Sequence, residues 1–249
     1  RSPNWIMRKR DRQITKEESA RISKYPLVRW FYRAWTFLIF ECRLAVFYKM
    51  SPAGWALKQF LNRYRKRRVT SSDLEKNLTP DFPVGCKRIL LSSEWFKTLE
   101  KPNAAEVALD AVIGGGGESF SADVILFATG FKSTEFLAPI EITGREGRRL
   151  QDSWHQGAEA YLGMTVSGFP NLFVLYGPNT NLGHNSIVMM LESQAKYIAT
   201  LVARMKKRQT RSVEVRPEVQ EKYNQKIQKQ AKRTVWVSNC ENWYTTAEG

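Results

Sequence analysis

The sequence is short of the residues that build metal and disulfide frameworks. Its 249 residues include three cysteines, Cys42, Cys86 and Cys240, which are widely spaced and form no C-x-x-C pair. There are two histidines, His155 and His184, far apart in the chain. This spacing indicates neither a disulfide framework nor a zinc site, and no metal is expected. A reducing, cytoplasmic setting is the expectation, with room for membrane association. So few histidines also leave little material for a His-based nucleophile system, so the chemistry should come from a cofactor. No run is uniformly apolar: residues 27–48 are aromatic and aliphatic, but Arg29, Arg33, Glu41 and Arg43 interrupt them. Each would be costly in hydrocarbon, which argues against a membrane span. No internal repeat is present. The first residue is Arg1, with no signal pattern, so the chain reads as a processed or truncated piece.

What is present is a globular composition with a strong charge bias. At 43% hydrophobic residues the chain can bury one large core or two modest ones. A formal charge of +15 and a pI near 9.9 admit three partners: nucleic acid, an anionic membrane surface or a phosphorylated cofactor. The densest basic run, residues 63–68, closes a predicted helix, where cations favour the negative end of the macrodipole. It reads as a solvated helix terminus. A non-enzymatic piece that binds lipid or nucleic acid through a basic block at 15–76 remains open on these grounds.

Along the chain, residues 1–7 read as the end of a strand. From Thr15, with Glu17 and Glu18 in a first turn, to Lys76 the pattern is helical, with breaks at Pro26 and at residues 51–54. A Pro- and Gly-containing loop at 77–85 ends this block. Short runs at 88–91, 106–113 and 122–128 predict strands, and the glycines at 114–117 predict a hairpin turn, because a strand follows them where a phosphate loop would need a helix. Residues 171–176 predict another buried strand. A helix should begin near Ser186 and close on Lys206, Lys207 and Arg208. Pro217 opens a final helix, and residues 235–237 should be extended. A strand, a loop at 177–185 rich in amide donors and a helix N-terminus could hold a polar ring edge or an anion. An ordinary strand-to-helix connection fits the same spacing.

The motifs are more specific. Ala128, Thr129, Gly130 and Phe131 follow a predicted strand containing Asp123, and Arg1 to Trp5 read R-S-P-N-W. Tyr161, Leu162 and Gly163 precede a G-F-P-N-L-F run at 168–173, and Gly177, Pro178 and Asn179 lead into the helix. In this order they resemble the flavin-containing and Baeyer-Villiger monooxygenases: the A-T-G-[FY] signature, the Q-R-[ST]-P-x-W exit of the NADP-binding domain, and the segment that packs on the flavin. Gly85 to Arg88 are similar to the family's G-x-K-R segment. The resemblance implies that Lys87 contacts the 2'-phosphate of NADPH and that Arg88 is catalytic beside the flavin C4a. There its permanently charged guanidinium would keep a peroxide on C4a anionic. Ser92 and Ser93 depart from the acidic residue that many relatives carry before an aromatic pair, here Trp95 and Phe96. Asn242, Trp243 and Tyr244 resemble a segment whose tryptophan lies by the nicotinamide and substrate.

By resemblance, then, the fold class is α/β: a partial, Rossmann-like flavoprotein fold of two dinucleotide-binding domains with an α-helical insertion. The family's two G-x-G-x-x-G loops and its F-x-G-x-x-x-H fingerprint do not occur in these residues. Residues 1–10 would be the exit strand of the NADP-binding domain and 11–85 the helical insertion. Residues 86–130 would complete the NADP-binding domain, and 131–249 would be the C-terminal part of the FAD-binding domain. The implied cofactors are FAD and NADPH, held by Lys87, Thr129, Gly130, Asn185, Ser186, Ile187 and Trp243. The implied partners are a small ketone and O2, with no nucleic acid and room for peripheral membrane contact. The implied activity of the intact protein is ketone oxygenation; N- or S-oxygenation is the alternative in the same superfamily, and the chain alone should be inactive.

Overall fold

In a computed structural model of the chain, described at residues 3–9, 12–100, 130, 135–238, 240 and 242–246, helices dominate. The basic block folds as read. Helix α1, Lys16–Lys24, starts at Thr15, whose hydroxyl accepts from the Glu18 amide at 3.1 Å, and ends where Pro26 opens α2, Pro26–Cys42. A 3-10 turn, Arg43–Phe47, leads to α3, Pro52–Lys66, with Ser51 as N-cap and Pro52 in its first turn. A short helix α4, Ser72–Asn77, is capped by Ser71.

The basic run at the end of α3 is not uniformly solvated. Arg65 is buried beside Glu75, 3.7 Å away. Burial lowers its pKa from the ordinary guanidinium value, and the Glu75 charge and hydrogen bond oppose that shift.

Two strands of two residues each, β1 (Ile6–Met7) and β2 (Leu90–Leu91), pair in parallel. The ladder places Leu90 and Leu91 beside Ile6 and Met7. The main core lies behind this pair: Trp5, Leu61, Phe82, Val84 and Cys86, with Met7, Val46 and Leu57 packed on it. Trp5 donates from Nε1 to the Phe82 carbonyl at 3.0 Å, which ties the P-x-W motif to the loop preceding Lys87. A third cluster, Ile6, Val69 and Phe96, joins β1 to α5 (Trp95–Leu99). Ser92 Oγ accepts from the amide of Trp95, the first residue of α5, at 3.0 Å.

A second core of Leu150, Ala160, Val166 and Phe169, which the short helix α6 (Leu150–Ser153) enters, has Leu137, Ile142, Trp154 and Leu172 packed on it. Helix α7, Ile187–Arg208, begins after Ser186 and closes on the expected three cations; α8, Pro217–Ala231, begins at the expected proline.

Three expectations are corrected. Residues 171–176 form no strand: among the described residues no strand lies beside them. The Asn171 and Val174 amides instead donate to the carbonyls of Val213 and Met164, both in loops, and Leu175 is exposed. Val235–Val237 is a 3-10 turn, with the Ser238 amide donating back to Val235, and is not extended. Cys86 and Cys240 form a disulfide across 154 residues with Cα atoms 6.7 Å apart, a pairing that linear spacing could not reveal because the fold itself brings them together. Cys42 is free and exposed. Alkylation of the denatured, unreduced chain should therefore label one thiol, and three after reduction, by intact mass. Three labels without reductant would show that the pair is not bonded. The predicted strands at 106–113 and 122–128, the glycine turn at 114–117 and the alanine, threonine and phenylalanine of the A-T-G-F motif lie outside the described residues.

Candidate functional site

The G-x-K-R segment begins with a glycine that its surroundings require. Gly85 has φ of +89°, and a Cβ there would lie 3.1 Å from the Phe47 ring. Phe47 comes from the turn after α2 and is buried between segments from the far end of the chain. Its ring centroid lies 5.4 Å from that of Trp236 and 6.2 Å from that of His184. Trp236 in turn stacks on Tyr244 at 4.8 Å. Gly183 closes the cluster: a Cβ on it would lie 3.0 Å from both the Phe47 ring and the Tyr244 hydroxyl. Gly85, Phe47, Gly183, Trp236 and Tyr244 therefore form one neighbourhood.

Arg88 belongs to the same neighbourhood. Burial raises the Tyr244 phenol above its ordinary pKa, the positive charge of Arg88 pulls it down, and Tyr176 adds to the rise. Arg88 is itself exposed at the surface. Its charge therefore acts near Tyr244, whose hydroxyl lies against Gly183. The neighbouring Lys87 is half-buried, with Nζ 4.8 Å from the centroid of the Phe82 ring.

The loop is shaped by its own motifs and by α2. A Cβ on Gly177 would lie 2.5 Å from the Gly163 carbonyl oxygen, so the G-P-N and Y-L-G motifs interlock by backbone contact. Near the helix, Asn185 donates from Nδ2 to Glu41 Oε1 at 2.7 Å, and His184 Nε2 lies 3.3 Å from the same oxygen. His184 Nδ1 is buried without a protein partner. Asn185 Oδ1 accepts from the Ser186 amide at 2.7 Å. That amide is therefore engaged, and the donors free to face a ligand begin at Ile187, the first residue of α7, where Ser186 supplies no side-chain cap.

The remaining anticipated residues are placed as follows. Gly130 is exposed at φ of +96°, and a Cβ there would meet nothing within 4 Å. Thr129 lies outside the described residues. Trp243 is 58% exposed, so it is not a core tryptophan. Phe47 thus joins Gly85, at the start of the G-x-K-R segment, to Gly183 and His184 in the turn before α7. An open depression of about 420 Å³ between residues 142–145 and 169–172 contains none of them.

No family model matches the chain. It is 39% identical over 98% of its length to a Baeyer-Villiger monooxygenase of Pseudomonas aeruginosa, of which it covers 48%. It is 35% identical over its whole length to the FAD-binding monooxygenase ktnD of Aspergillus niger, of which it covers 43%. The chain belongs to the Baeyer-Villiger family of flavin monooxygenases. It spans about half the length of the curated relatives it matches. Its fold follows the family: a crystal structure of OTEMO in complex with FAD and NADP matches 81% of the chain, and 40% of that protein, at TM-score 0.67 and 25% identity.

Within this Baeyer-Villiger family chain, some residues of the Phe47 neighbourhood lay outside the motifs. Glu41 is the sole acidic side chain between residues 20 and 70, a signal that was legible in the sequence. Tyr244 was marked only as part of the Asn242-Trp243-Tyr244 segment, and Phe47 and Trp236 carried no signal, being aromatic residues among others.

Proposed function

We propose that this chain forms part of an FAD- and NADPH-dependent monooxygenase that inserts one oxygen atom beside a ketone carbonyl, giving an ester or lactone. The carrying observation is the shared neighbourhood of Arg88 and the 183–187 turn, built around Phe47 and Tyr244. Relatives support the cofactors: one is named FAD-binding, and another was solved with FAD and NADP. In the whole protein, residues 11–85 would be the helical insertion between parts of a two-domain, Rossmann-type flavoprotein. The family's glycine-rich dinucleotide loops would lie outside these 249 residues.

The residues present suit a flavin. The unoccupied amide of Ile187 and the positive end of the 22-residue α7 favour negative charge at a ring edge. The buried, unpartnered His184 Nδ1 offers a further polar contact close by. When bound, FAD would supply oxygen activation at the expense of NADPH. Lys87 would hold the 2'-phosphate of NADPH. Arg88 would hold a fixed positive charge beside the reacting oxygen; a guanidinium gives up no proton at working pH, so it stabilises the anion without quenching it. That favours attack on a carbonyl carbon. Tyr244, kept neutral by burial, adds no competing negative charge next to Arg88.

Product analysis with the whole protein, NADPH, isotopically labelled O2 and a panel of ketones, sulfides and amines tests this reading. The expected result is label in an ester or lactone, with one NADPH consumed per product. Label confined to sulfoxide or N-oxide, with ketones untouched, would assign the heteroatom branch of the superfamily instead.

A further inference from the structure

Glu41 stands where helix electrostatics disfavours an acid. It lies in the last turn of α2, one residue before the end at Cys42, beside the negative end of the macrodipole, and no basic residue shares that turn. Its carboxylate is turned instead to a segment 143 and 144 residues away: Oε1 accepts from Asn185 Nδ2 at 2.7 Å and lies 3.3 Å from His184 Nε2. A carboxylate oxygen accepts two such donors with the strength of an ionic hydrogen bond. The His184 side chain is only 9% exposed, so an acceptor lost here is poorly replaced by water.

Asn185 passes this anchor on. Its Nδ2 is held by Glu41 while its Oδ1 accepts from the Ser186 amide at 2.7 Å, so both ends of the carboxamide are fixed. The same turn is gripped a second time by Phe47, which follows α2 through the 3-10 turn and lies where a Cβ on Gly183 would come within 3.0 Å of its ring. The end of α2 thus holds residues 183–186 by one packing contact and one hydrogen-bonded relay. We propose that Glu41 and Asn185 are positioning residues: the acid fixes the carboxamide, the carboxamide occupies the Ser186 amide, and the first amide presented to a ligand at the start of α7 becomes that of Ile187. Asn185, anticipated as a cofactor contact, acts through its neighbour. The inference rests on the reading that a flavin edge meets this helix start, and it deepens that reading by naming what sets the donor.

Two readouts on the whole protein test it: amide hydrogen exchange across residues 183–190 without cofactor, and FAD affinity by fluorescence titration. Glu41→Ala should speed exchange in that segment and weaken FAD binding, each by about tenfold, the usual consequence of losing one hydrogen bond to a charged group. Asn185→Asp should do the same, because it sets two carboxylates against each other. The double variant Glu41→Gln, Asn185→Asp should restore both readouts: the new carboxamide at 41 can donate to the new carboxylate at 185, which still accepts from the Ser186 amide. A merely structural role would not give that rescue. Exchange unchanged in Glu41→Ala and Asn185→Asp, or a double variant no better than Asn185→Asp alone, would overturn the positioning role. Faster exchange with unchanged FAD affinity would instead sink the flavin placement on which the proposal rests, and the proposal with it.

Discussion

Replacing Arg88 with alanine should lower the rate of ketone oxygenation in the whole protein by about 10²- to 10³-fold, the usual cost of removing one fixed electrostatic partner of a reacting oxygen. The effect should fall on kcat, because the charge matters where negative charge develops, with a smaller change in KM for the ketone. NADPH consumption should persist with hydrogen peroxide as the product, since nothing would then restrain the reduced oxygen from leaving unused. Folding should be unaffected: Arg88 is exposed and belongs to none of the hydrophobic cores. Arg88→Lys should recover only part of the rate, because a compact, strongly hydrated ammonium does not reproduce the planar, weakly hydrated guanidinium. Parallel measurements of product and peroxide check this. An Arg88→Ala enzyme that retains most of its coupled ester formation would remove Arg88 from the chemistry.

The second large effect concerns Trp5, in the core beside the G-x-K-R segment. Trp5→Ala should cost about 3–5 kcal/mol in denaturant unfolding, the usual range for deleting a buried aromatic ring. The side chain is buried at the centre of the core that contains Phe82, Val84 and Cys86, and its Nε1 satisfies the Phe82 carbonyl. Trp5→Phe keeps most of the volume and should cost about 1–3 kcal/mol, chiefly for the unpaired carbonyl. The P-x-W motif thus supports the loop that aims Lys87 and Arg88, and a Trp5→Ala protein that still folds should also show weakened activity. A cost below about 1 kcal/mol would mean that this packing is not needed.

The helical block was legible because each boundary is encoded locally. Thr15 and Ser51 have hydroxyls that cap a helix, and Pro26 and Pro52 can sit only in a first turn. The turn before α7 was legible through motifs whose glycines are fixed by close backbone approach, as at Gly163 and Gly177. What was not legible depends on partners distant in sequence. Residues 171–176 have strand-like composition, but a strand is defined by a neighbour, and here Val174 finds a loop carbonyl. Cys86 meets Cys240 only because the end of the chain returns over the Phe47 cluster. The Ser186 amide looked available from its place at a helix start, yet the preceding Asn185 side chain occupies it. Arg65 looked like part of a solvated run, but the register of α3 turns it inward toward Glu75.

In the proposed whole protein a flavin ring would lie between the first amides of α7 and the charge of Arg88. A crystal structure of the whole protein with FAD tests it most directly. It should show the N1 and C2 carbonyl edge at the Ile187 amide and the Arg88 guanidinium on the C4a side of the ring, with Tyr244 and Phe47 behind the turn. A flavin seated elsewhere, with α7 and Arg88 on opposite sides of the molecule from it, would contradict the account.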